Sequence, residues 1–150
     1  MTTIEDRKRQ TSERGQSMVE FVLGSIILAL TLAAIVDLGR AYFVKIAITD
    51  AAAEGAMFAA HSPNCLYDTG WASCADPNNV TYRVKHASNS RMVDWNNVQV
   101  GTMVGTEGLV AGSNITVTVH YPFTLITPFI SGMVGSDILQ IRASAVQSIR

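Results

Sequence analysis

The sequence predicts an α+β protein: a long N-terminal membrane-inserting helix, then a small antiparallel sheet head with a short second helix. Three observations carry this. From Phe21 to Val36 sixteen residues pass without a formal charge, and no proline interrupts between Gln16 and Ala60. Ser62-Pro63-Asn64 then ends the run, because proline cannot continue a helix and Ser and Asn favour turns. Beyond Asn97 the period becomes two. Ile115, Val117, Val119 and Tyr121 alternate with Thr116, Thr118 and His120, and Leu139, Ile141, Ala143 and Ala145 alternate with Gln140, Arg142 and Ser144. A small antiparallel sheet packed on the second half of the long helix buries both apolar faces.

The 150 residues make one domain by length, and 48% are hydrophobic against 15% charged. Mean hydropathy is positive, which fits a small globular part carrying one membrane-grade helix. The formal net charge is −1, so nothing suggests a nucleic-acid partner. Local charge says more. Arg7, Lys8, Arg9 and Arg14 precede the apolar run, with Glu13 among them. Basic residues before a span hold that side in the cytoplasm, so the remainder should face outward.

Residues 1–15 read as a leader, 16–61 as the long helix and 62–150 as an extracytoplasmic head. A bilayer core takes about 20 helical residues. The run reaches that length if it includes Met18 and Val19 and continues to Leu38, with Glu20 and Asp37 tolerated near its ends. A plain signal anchor or a cleaved signal peptide would leave Glu20 unexplained, because an unpartnered carboxylate in an apolar run is costly. Further along, Leu38, Ala41, Val44 and Ile48 keep an apolar stripe, and Asp37 and Arg40 lie three apart on one face. Ala51-Ala52-Ala53, Ala56, Ala59 and Ala60 form a small-residue surface. It either admits another backbone closely or reflects helix propensity alone.

Cys65 and Cys74 have eight residues between them. In an oxidising compartment a disulfide is the natural reading, closing a loop that contains Tyr67, Gly70 and Trp71. Zinc, with His61 as a further ligand, is the alternative, but the paired short spacings of zinc sites are missing. After the loop, Asp76-Pro77-Asn78-Asn79 caps a short helix through Val80, Val84 and Ala87, although Val80 to Val84 also alternates like a strand. Val98 and Val100 start the first strand, and Pro122 should end the ladder of the next. The apolar segment Tyr121–Ile130 is either a loop covering the sheet or a patch for a membrane surface or a neighbouring subunit.

A basic segment, Gly15, four residues, Glu20 and Phe21, then an apolar helix, resembles the processing site of type IV pilin-like proteins. That resemblance implies cleavage between Gly15 and Gln16 by a prepilin peptidase. With Asp37-Leu38-Gly39-Arg40 and Ala53-Glu54-Gly55-Ala56 at matching distances, the chain resembles the TadE-like family. It does so over Gly15–Ala60 and, more loosely, over Ile115–Ala145; the cysteine region matches no family pattern. The resemblance implies a pseudopilin or minor pilin of the Tad (Flp) pilus, anchored in the inner membrane, whose partners are other pilin subunits, the assembly platform and membrane lipid. The family motif then falls on Asp37, Gly39, Arg40, Glu54 and Gly55.

Glu20 is the residue with a mechanism. Cleavage creates an amine on Gln16, and in pilin-like assemblies that amine pairs with a neighbouring subunit's Glu; snorkelling to headgroups is the plainer role for Glu20. His61, His86 and His120 lie on three different elements, no phosphate-binding loop is present, and no catalytic constellation emerges. The chain reads as a structural protein, not an enzyme, and needs no cofactor. The rival reading is a bitopic membrane protein with an extracytoplasmic binding or adhesion domain.

Overall fold

The computed structural model describes residues 3–67, 73–127, 130–132 and 135–150, with side chains from Gly15 onward. Gly70, Trp71, Pro128 and Phe129, and the basic side chains upstream of Gly15, lie outside the described residues. Helix α1 runs Thr3–His61 as one uninterrupted element of 59 residues, about 88 Å at 1.5 Å per residue. It begins upstream of the expected Gln16, since neither proline nor glycine occurs between Thr3 and Arg14. It ends at His61 where expected, just before Ser62-Pro63.

Helix α2 (Val80–His86) confirms the helical reading of the ambiguous segment. Asn79 caps it: the side-chain oxygen accepts the Tyr82 N–H at 2.8 Å. The Asn79 amide also donates to the Asp76 carboxylate at 2.7 Å and to the Cys74 carbonyl at 3.3 Å. One buried side chain thus ties the start of α2 to the cysteine loop. Cys65 and Cys74 are joined in a disulfide with Cα atoms 5.0 Å apart, and the Val80 N–H donates to the Cys65 carbonyl. Neither thiolate is left for a metal.

A 3₁₀ turn at Trp95–Asn97 leads into β1 (Gln99–Val104), followed by β2 (Asn114–Thr124) and β3 (Ile138–Ser148). The three form an antiparallel sheet in the order β1-β2-β3. Pro122 corrects an expectation, because it lies inside β2 opposite Gln140 instead of ending the ladder. The reason is register. β1 reaches only as far as Gln99 opposite His120, so from Tyr121 onward β2 is itself an edge, where proline is tolerated.

The head is a two-layer α/sheet packing. Val44, Ile48, Ala51, Ala52, Ala56 and Ala59 of α1 meet Val80 and Val84 of α2 and Ile115, Val117 and Val119 of β2. The small-residue surface therefore faces inward and receives the head of its own chain. Gly55 shows why. A Cβ there would lie 2.5 Å from Val84 Cγ2, 3.3 Å from Val117 Cγ1 and 3.4 Å from Val80 Cγ1. Only a residue without a side chain lets α2 sit this close.

Candidate functional site

Helix α1 has two halves with different surroundings. From Gly15 to Leu32 every residue is exposed, and no residue of the most apolar stretch of the helix is buried. By length and composition it is fit to cross a membrane. A helix apolar on all sides is stable only when lipid or other protein surrounds it. The two hydroxyls inside its uncharged run are satisfied locally. Ser25 donates to the Phe21 carbonyl and Thr31 to the Ile27 carbonyl, both at 2.8 Å. Such back-bonding leaves no hydroxyl donor unmet in hydrocarbon.

At the start of this half the Gln16 side-chain amide donates to the Glu20 carboxylate at 3.4 Å. The contact places residues 16 and 20 on one face, one turn apart. Phe21 beside them is 76% exposed. Gly15, Gln16, Glu20 and Phe21 therefore share one exposed stretch of α1. An added Cβ at Gly15, Gly24 or Gly39 would meet nothing within 4 Å, so packing within this chain does not require glycine at these positions.

The second half opens with Asp37, only 2% exposed. Its carboxylate accepts the backbone N–H of Thr127 at 2.9 Å and of Ile126 at 3.2 Å. Arg40 adds a hydrogen bond and ion pair at 3.3 Å, and its guanidinium lies over the Phe123 ring, 5.1 Å from the centroid. One turn earlier, the Thr127 hydroxyl donates to the Ala33 carbonyl at 3.4 Å. Ala33, Asp37 and Arg40 follow the i, i+4, i+7 spacing of one helix face. The chain leaving β2 is clamped along that face. Lys45 fastens the outer strand β3, donating to the Arg142 carbonyl.

The expected motif residues thus divide by role. Asp37 and Arg40 act together in the clamp. Gly55 lies about 27 Å further along the axis and admits α2. Glu54 is exposed beside it. Sequence reading did not reach Phe123, Ile126 and Thr127 as the partners of Asp37 and Arg40, because a contact between residues 37 and 127 leaves no local periodicity. The one available signal was a carboxylate closing an apolar run, which needs a donor. Among the described residues no group of three or more His, Cys, Asp or Glu is placed to hold a metal.

Residues 15–57 match the family model described as TadE-like protein. The match begins at the glycine of the expected cleavage site and covers the exposed half of α1 and the helix side of the clamp, Ala33, Asp37 and Arg40. The match spans under a third of the chain, so it shows a likeness of the helix to TadE-like proteins. No curated protein and no solved structure matches the chain.

Proposed function

We propose that the chain is a minor pilin or pseudopilin that takes part in assembling a Tad (type IVc, Flp-like) pilus for surface adherence. The observation that carries this is a TadE-like helix whose first half is apolar on every side and, among the described residues, is exposed throughout. In the inner membrane lipid covers that half, and during assembly the helices of other pilin subunits replace the lipid. A prepilin peptidase cuts between Gly15 and Gln16, and the new amine of Gln16 becomes the cation that Glu20 of a neighbouring subunit requires. The assembly platform draws the processed subunit out of the bilayer. The head, on the outer side of the membrane, makes this a minor subunit, since major Flp pilins resemble little more than the helix.

Deleting the protein from its native host should abolish or strongly reduce Tad pili counted by electron microscopy. Supplying the full chain should restore them. Normal piliation without the protein would favour a bitopic binding protein unconnected with pilus assembly.

A further inference from the structure

We infer that the chain around Ile126 lies in the outer headgroup layer of the same bilayer that α1 crosses, so that the head rests on the membrane at a second point. The inference depends on α1 being a span, and it begins from where the span must end. If Glu20 marks the inner boundary, about 20 residues of helix reach the outer one near Arg40. Asp37 then falls just inside that boundary, where a bare carboxylate would be costly. It is not bare, because the amides of Ile126 and Thr127 and the Arg40 guanidinium surround it.

The clamp that satisfies Asp37 also fixes the depth of the loop. Thr127 reaches back to the Ala33 carbonyl, about 6 Å further into the span than Asp37 at 1.5 Å per residue. The loop is therefore held beside residues 33–37, within the apolar run. Its chemistry suits that depth. No charged residue occurs from Tyr121 to Ser136, and the Ile126 side chain is 66% exposed. The backbone N–H groups of residues 126 and 127 are already paired, as a low-polarity layer demands. Leu38 and Tyr42 add apolar and aromatic surface to α1 at the same level, at 72% and 65% exposure. A tyrosine here matches the aromatic belt of membrane interfaces. The Arg40 charge is itself paired at this level, with the Asp37 carboxylate at 3.3 Å. The far end of the sheet is different: Met103 pairs with Thr116, well away from the clamp.

Spin labels on single added cysteines test this in the full chain, whose own two cysteines are bridged. Labels at Ile126, at Leu28 in mid-span and at Met103 are compared in vesicles of phosphatidylethanolamine and phosphatidylglycerol. All three sites are exposed, so the label should not disturb folding. Collisions with oxygen report lipid, and collisions with a water-soluble nickel chelate report water. At Ile126 oxygen should dominate, at a depth on the order of 5–10 Å, while the chelate dominates at Met103. Equal chelate access at Ile126 and Met103, with Leu28 protected, would overturn the inference and leave this loop for a neighbouring subunit. Free chelate access at Leu28 would instead remove the span itself, and the inference with it.

Discussion

Glu20→Ala is expected to insert and be processed normally, yet to leave the native host without pili. Insertion should hold or improve, because a charge at mid-helix costs about 2.5–3.5 kcal/mol on translocon scales and the substitution removes one near the helix end. Processing should continue, because Gly15 and the basic residues before it are intact. Nor does the head depend on Glu20, which is exposed and whose one side-chain contact is Gln16. Assembly is where the loss falls. In an apolar packing layer the amine of Gln16 would have no carboxylate, and removing one partner of a buried pair costs about 3–5 kcal/mol. Glu20→Gln should give intermediate piliation, since it keeps a hydrogen bond without the charge. Processing, membrane fraction and pilus number are scored separately at equal protein level. Normal piliation by Glu20→Ala would reduce Glu20 to a residue that snorkels to headgroups.

Gly55→Leu should destabilise the head strongly, where Leu at the open Gly24 or Gly39 should not. The position is closed on the α2 side by Val84 and Val80 and on the sheet side by Val117, all fully buried. Already at Cβ a leucine would lie 2.5 Å from Val84 Cγ2, so α2 must move off the helix. Overpacking of this kind costs about 1–3 kcal/mol, occasionally more. Gly55→Ala separates the terms. Its single methyl would still lie 2.5 Å from Val84 Cγ2, so the midpoint should fall here too, though less than for Gly55→Leu, because alanine regains about 1 kcal/mol of helix propensity. Urea titrations of the detergent-solubilised protein, read through Trp95 on the edge of the core, measure both. A wild-type midpoint for Gly55→Leu would mean that α2 does not rest on α1.

How far these features were legible in the sequence depended on whether each is local. The long helix, its stop at Ser62-Pro63 and the alternation in β2 and β3 are properties of neighbouring residues, so periodicity and breakers revealed them. The short helix was decided by Asn79, whose side chain caps Tyr82, and Asn before an i, i+4 apolar pair is a readable signal. Pro122 misled because tolerance for proline depends on how far a neighbouring strand reaches, which is set some twenty residues away in β1. The alanine surface was ambiguous for a similar reason. Small residues signal close approach without saying whose backbone approaches, and here α2 and the sheet of the same chain do so. Asp37 and Arg40 were readable as a helical pair, but their service to the loop after β2 was not.

The claim that the first half of α1 is an assembly segment released by cleavage is tested most directly by the mass of the mature N-terminus. The protein is recovered from native-host membranes that contain an active prepilin peptidase, and its terminal peptide is sequenced by mass spectrometry. A chain that begins at Gln16, with a free or methylated amine, is the expected result. A chain that keeps Met1 and the basic leader, or one cut after Ala34, would contradict it.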